Sequence, residues 1–434
     1  MKNLGLRWGR YFVVGMWVVQ GILGEFAYAV PRNLPHLDLE IKGAEYSHWL
    51  RSKLLISDFN PIMRMGKRNL DWLNQLNAAR PGAAPLSFSK AGAQQGFPIE
   101  SPRVYSPAII QKQFEDLMIT LPQAMKSVLV DGAPLTDTLP IAEKTYLEFG
   151  LEVDRVYQIA ARWMLLEPYL PALADRKKQD VRGYYFLQKE ENLPEKLNQF
   201  KTLSAEQQRP LAEWLTGICA MQNSERRCRA ELQVAVQGDS VDVYYRKYHP
   251  YAQEKWDEFF KIPEKRSDVR WAAARPELMS VPFLRPSESS VVQFLMNIEE
   301  EWRFKDWRIG LAFTDQLSAD TIRLEFKAGV TPNVDRLAGN IITLDANAPL
   351  SEFEVQWTIR HEFGHSLGFP DCYLEFYDEQ REEMVSYQLD TTNLMCSRRG
   401  HLQEKHYVEL KRVYFSSASD QSAAHSLAVS SDVR

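Results

Sequence analysis

The chain predicts an α+β fold, with a mostly helical N-terminal part followed by a sheet-bearing part. Three observations carry this reading. Apolar residues recur at helical spacing over Ile110 to Met125, Ile141 to Leu166 and Leu193 to Met221. From about residue 267 short alternating runs replace them, as in Trp307 to Phe313 and Thr321 to Phe326. Between those strands and a closing helix lies His361-Glu362-Phe363-Gly364-His365-Ser366-Leu367-Gly368-Phe369-Pro370-Asp371.

Residues 1–29 read as a signal peptide. Lys2, Arg7 and Arg10 precede an apolar core from Tyr11 to Leu23, and Ala27-Tyr28-Ala29 is a small-x-small cleavage signal. Export is therefore expected, to a secreted or periplasmic location. No later run is long and apolar enough to span a bilayer, so no stable membrane insertion is expected once the signal is removed. The net charge of −5, with 52 basic and 57 acidic residues, includes no basic block, and no nucleic-acid partner is expected. In an oxidising compartment the four cysteines read as disulfides. Four cysteines allow three pairings, and local spacing favours Cys219–Cys228 and Cys372–Cys396.

Residues 30–266 form the expected helical N-terminal domain or pro-segment. Residues 80 to 107, rich in Pro, Gly and Ser, read as a long loop. Ser224 to Arg229 reads as a solvated helix connection stapled by a disulfide, and Tyr157, Trp163 and Trp214 as core aromatics. His36, His48 and His249 are scattered and read as structural. Lys265-Arg266-Ser267 is a basic site near the boundary, where processing is conceivable.

Residues 267–415 form the second domain. An apolar run from Met279 to Leu284 precedes a helix capped by Ser289 and carrying Val291, Phe294, Leu295, Ile298 and Trp302. The two alternating strands follow, then a third from Asn340 to Leu344. Tyr373 to Asp390 is largely polar and reads as a loop or short helix. Leu402 to Tyr414 reads as the closing helix, and 416–434 as a disordered tail rich in Ser and Ala.

The His-Glu stretch opens as a helix, and residues four apart share a helical face. His361 and His365 therefore present two imidazoles to one point, half of a tetrahedral zinc site. Glu362 is placed to polarise a water and shuttle its proton. Gly368 can adopt the positive φ that ends a helix, and Pro370 stops it resuming. The next residue able to bind a cation is Asp371. Three protein ligands with an open fourth position is the catalytic rather than the structural zinc arrangement.

HEFGHSLGFPD resembles the extended zinc motif of the metzincin metallopeptidases, with aspartate in place of the commoner third histidine. That aspartate and the run Gly368 to Tyr373 look most like the snapalysin group. Asn393-Leu394-Met395-Cys396-Ser397 is similar to the family's Met-turn and falls about two dozen residues after Asp371. The resemblance covers roughly residues 275 to 415. It implies a metzincin-like domain, with a zinc-binding helix across a twisted mixed sheet whose edge strand could pair with extended substrate backbone. It also implies one catalytic Zn²⁺ held by His361, His365 and Asp371, Glu362 as general base, and Gly368 and Met395 as structural support. The implied activity is that of an exported zinc metallopeptidase, a hydrolase acting on protein or peptide substrates. Secreted relatives are often made with inhibitory pro-segments, so a zymogen is expected; a cysteine switch is disfavoured because both N-terminal cysteines are paired in this reading.

Two departures stand out. Some metzincins carry a metal-reaching tyrosine two residues after the Met-turn methionine, where this chain has Ser397. The aspartate ligand is charged where histidine is neutral, which reduces the positive charge of the metal. A runner-up third ligand is Glu382 or Glu383. The rival function is a catalytically silent zinc-fold protein that binds a partner through its helical half.

Overall fold

The structure, a computed structural model, describes residues 59–83, 86, 88, 96–318, 320–327, 330–346 and 348–416. The expected signal peptide, His36, His48 and residues 417–434 of the expected tail lie outside the described residues.

The first part is helical: α1 (Asn60–Ala78), a short strand β1 (Arg103–Tyr105), α2 (Pro107–Thr120), α3 (Gln123–Leu129), α4 (Glu143–Leu166), α5 (Leu170–Arg176), α6 (Arg182–Lys189), α7 (Leu193–Asn198), α8 (Ala205–Ala220), α9 (Glu225–Gln237) and α10 (Val241–Glu258). The start and stop signals are local. Ser106 caps α2, with Pro107 at its first turn. Pro122 breaks the expected Ile110–Met125 helix in two, because it lacks the N–H that an uninterrupted helix would bond. Ser204 and Gln207 form a capping box on α8, and Ser224 caps α9. The connection between α8 and α9 is closed by the Cys219–Cys228 disulfide.

The second part holds β2 (Trp271–Ala272), β3 (Leu278–Leu284), α11 (Ser289–Glu301), β4 (Arg303–Phe304), β5 (Trp307–Thr314), β6 (Arg323–Lys327), β7 (Asn333–Val334), β8 (Ile341–Asp345), α12 (Phe353–Ser366), β9 (Tyr373–Asp378), β10 (Glu383–Gln388), α13 (Glu404–Tyr414) and β11 (Phe415–Ser416). Together the two parts make the molecule α+β. Ser289 is the first helical residue of α11 rather than its cap; Glu288 occupies the cap position without a side-chain bond.

Two three-stranded arrays, β4-β5-β3 and β6-β8-β7, meet through the parallel bridge Phe283–Ile322 and the bond from Leu284 N–H to the Ile322 carbonyl, 2.7 Å. The combined order is β4-β5-β3-β6-β8-β7. The four inner strands are parallel, and β4 and β7 are antiparallel edges. Every second residue of β3 is buried, as a period-two strand requires. Met279, Val281 and Phe283 share a core with Leu295, Ile298, Trp302, Ile359 and Phe363, so α11 and α12 pack on the sheet.

Tyr373 to Asp390 is not a loop or a short helix. Leu374, Phe376, Val385 and Tyr387 make it a β-hairpin, and β1 pairs on the far side of β10, giving the order β1-β10-β9. Its polar residues Glu375, Asp378, Ser386 and Gln388 are buried. The expected 80–107 loop accordingly contains a strand, visible only once its distant partner is in place.

The apolar packing divides near residue 175. One cluster holds α1 to α5 around Trp72, Tyr146, Met125 and Leu166, and takes in Met384 from β10. The other runs without interruption from Val181 through α10 and across the whole second part. Tyr157 and Trp163 are buried as expected, and Trp214 stacks on Phe186.

Candidate metal centre

α12 delivers His361 and His365 from adjacent turns of one face. Gly368, at φ +95°, then ends the helix, and the chain reverses toward Asp371. A Cβ at Gly368 would meet the carbonyl of Glu264, so glycine is required here by space as well as by φ.

Three ligand atoms converge. His361 Nε2 lies 3.1 Å from His365 Nε2, and each lies 3.2 Å from Asp371 Oδ1. Ligands at zinc-bonding distances in a tetrahedral arrangement stand roughly 3.3 Å apart, so this triangle has the size that a first-row divalent ion needs. Its chemistry points the same way. His361 Nδ1 donates to the Leu394 carbonyl and His365 Nδ1 to the Phe369 carbonyl, each at 2.8 Å. Carbonyls only accept, so both Nδ1 atoms carry a proton and both Nε2 atoms are turned to the centre. Asp371 Oδ1 is buried without a hydrogen-bond donor. Three ligating atoms turned on one another form a group that could hold a cation. Among the described residues this trio is the one group of His, Cys, Asp and Glu side chains with metal-holding geometry.

The electrostatics agree. Burial alone would push His365 down, yet the Asp371 carboxylate raises it to about 9. Burial likewise opposes ionisation of Asp371, but His365 and His361 hold it well below the usual carboxylate range. Without a cation the centre thus pairs a protonated His365 with the Asp371 carboxylate, a proton that a bound cation would displace. The His361 side chain is 1% exposed, His365 12% and Asp371 37%, so the centre opens on the aspartate side.

Glu362 follows the first ligand and is buried, with its charge felt at His365. Beneath the helix Met395 packs against Gly364; any Cβ there would collide with the methionine sulfur and crowd Trp302. The Met395 loop is fixed by Asn393, whose side-chain oxygen accepts from Met395 N–H at 2.7 Å and from His406 Nε2 at 2.9 Å. Cys372 is joined to Cys396, tying the residue after Asp371 to the residue after Met395. Cys372 N–H also bonds the Met395 carbonyl.

The structure thus brings together His361, Glu362, His365, Gly368, Asp371 and Met395, and pairs the cysteines as spacing favours. Glu383 opens β10 opposite Asp378, at the turn end of the hairpin, and Glu382 lies in that turn at φ +55°. Neither belongs to the ligand group. His401 is exposed and pairs with Glu301, whereas His406 is buried.

Sequence reasoning missed Tyr373. Burial, together with the nearby Asp371 carboxylate, raises its hydroxyl well above its ordinary range. Position gave the only available signal: two residues past Asp371, at the start of an alternating run.

Compared with family models, curated proteins and solved structures, the chain matches none.

Proposed function

We propose that the protein is an exported zinc-dependent endopeptidase. The observation that carries this reading is the triangle of His361 Nε2, His365 Nε2 and Asp371 Oδ1, preset by two backbone carbonyls and flanked by Glu362. A zinc ion held by these three residues would polarise a peptide carbonyl and acidify a water.

The chain's own groups do the rest. Glu362 accepts the proton of the attacking water and returns it to the departing amine. Asp371 offsets part of the metal charge. β7, an edge strand beside α12, offers the backbone of Asn333 and Val334 to an extended substrate. The two disulfides accord with an oxidising compartment, and no helix of the described residues is long and apolar enough to cross a membrane.

The rival reading, a silent zinc-fold binding protein, has no use for the buried Glu362 beside the ligands. The test is incubation of the purified protein with unfolded casein, with chelator and after zinc is restored. Cleavage abolished by chelator and recovered with zinc supports the peptidase. Stoichiometric zinc without cleavage of casein or a peptide library favours the binding protein.

A further inference from the structure

We infer that the helical part is a permanent component of the metal centre: residues 96–188 hold Asp371 in place through hairpin β9–β10 and do not leave the protein on maturation. This rests on the metal-site reading above and concerns its support.

Asp371 has little structure of its own. It lies between the end of α12 and the start of β9, so its position follows that of the hairpin. The polar groups that fix the hairpin come from the helical part. Glu375, buried in β9, accepts from Arg162 Nε at 2.8 Å, from Arg162 Nη2, and from the Tyr105 hydroxyl at 2.7 Å. Arg162 is itself buried in α4. A carboxylate removed from water in this way is tolerable only with its partners present. In β10, Tyr387 accepts from Val181 N–H at 3.2 Å and donates to Asp180 at 2.9 Å. Lys177 reaches Asp378 at 3.0 Å. Closest to the metal, Gln388 pairs with Tyr373 in the hairpin register, and its N–H bonds the Phe97 carbonyl at 2.6 Å. Leu389 N–H bonds the Cys372 carbonyl at 3.0 Å, at the residue that follows Asp371. The bonds that begin at Phe97, Tyr105 and Arg162 therefore reach Cys372 and Tyr373, the residues that directly follow the third ligand.

The sequence Lys265-Arg266-Ser267 offers no workable cut site. The Arg266 guanidinium is buried, bonding Asp268, Asn340 Oδ1 and the carbonyls of Ala338, Gly339 and Asp320. Its backbone N–H bonds the Tyr414 hydroxyl, and the neighbouring Glu264 carbonyl packs on Gly368. A protease needs several residues of extended, accessible chain, and here that would require unpicking the floor of the site. A nick elsewhere would leave β1 in its sheet.

Two measurements test this. The zinc-loaded full chain is digested under native conditions with a protease specific for Lys and Arg, and the zinc-bearing species is sized and its peptides identified. The expected species contains residues 96–188, nicked or not, with no cut after Lys265 or Arg266. A zinc-bearing fragment that begins near Ser267 and elutes free of the helical part overturns the inference. In the second, Arg162→Lys keeps the charge but loses the fork that grips Glu375. Zinc affinity of the folded variant should fall about tenfold or more, with a changed visible spectrum of the cobalt-substituted protein and an unchanged far-ultraviolet spectrum. Wild-type affinity and cobalt spectrum in a variant that merely melts earlier would make Arg162 structural only and overturn its positioning role. A wild-type chain that takes up no metal defeats the zinc reading instead, while the digestion still decides whether the two parts separate.

Discussion

His361 Nδ1 donates a 2.8 Å hydrogen bond to the carbonyl of Leu394, the residue immediately before Met395. One ring thus offers Nε2 to the metal and anchors the turn that supports the helix from below. Ligand orientation and the Met395 turn are a single construction, with Gly364 as the place where helix and turn touch.

Gly364→Ala should damage fold and site together. The new Cβ collides with Met395 Sδ and crowds Trp302, so helix and turn must part. Overpacking of this kind costs about 1–3 kcal/mol, and the ligands move with the helix. A lower melting temperature with lost zinc is expected. Met395→Leu, close in volume, should cost under about 1.5 kcal/mol and keep the metal.

Tyr373→Phe removes the hydroxyl whose charge state is coupled to Asp371 and leaves the ring in the hairpin. Groups that orient a metal ligand are worth roughly 10–100-fold in affinity or activity. Chelator competition should register a loss of that order, with the fold intact by circular dichroism.

Much of this site was legible in the sequence because its geometry is local. His361, Glu362 and His365 are set by helical spacing, Gly368 by its φ and Asp371 by the turn. The hairpin was not legible. Tyr373 to Asp390 read as a polar loop or short helix, yet Glu375 and Asp378 are buried with Arg162, Tyr105 and Lys177, partners that arrive from 200 or more residues earlier. The three residues of β1 were hidden for the same reason: a strand that short is defined by what it pairs with.

His406 gives stability a pH dependence of known sign. Burial, the main cause, lowers it to about 3, against about 6.5 in an unfolded chain. Between those values the unfolded state binds the proton and the folded state does not, so His406 makes stability drop by about 1.4 kcal/mol for each unit the pH is lowered. Asp154 opposes this over part of the window, because burial raises it to about 6 and the folded state then holds the extra proton. The comparison of wild type with His406→Asn isolates the histidine: their stability difference, from denaturant unfolding, should shrink between pH 7 and pH 5. A difference independent of pH would mean that His406 titrates normally.

Breaking Cys372–Cys396 releases a closure of 24 residues, worth roughly 3–4 kcal/mol on a chain-entropy account. The double Cys→Ala variant should lose that stability and also bind zinc more weakly, since Asp371 and Met395 are no longer tied. The same change at Cys219–Cys228 should lower stability and leave zinc affinity alone.

The measurement that tests the central claim most directly compares Glu362→Gln with His361→Ala for zinc content and casein cleavage. The account predicts that Glu362→Gln keeps one zinc per chain and loses hydrolysis, whereas His361→Ala loses both. Cleavage by Glu362→Gln at the wild-type rate would contradict it.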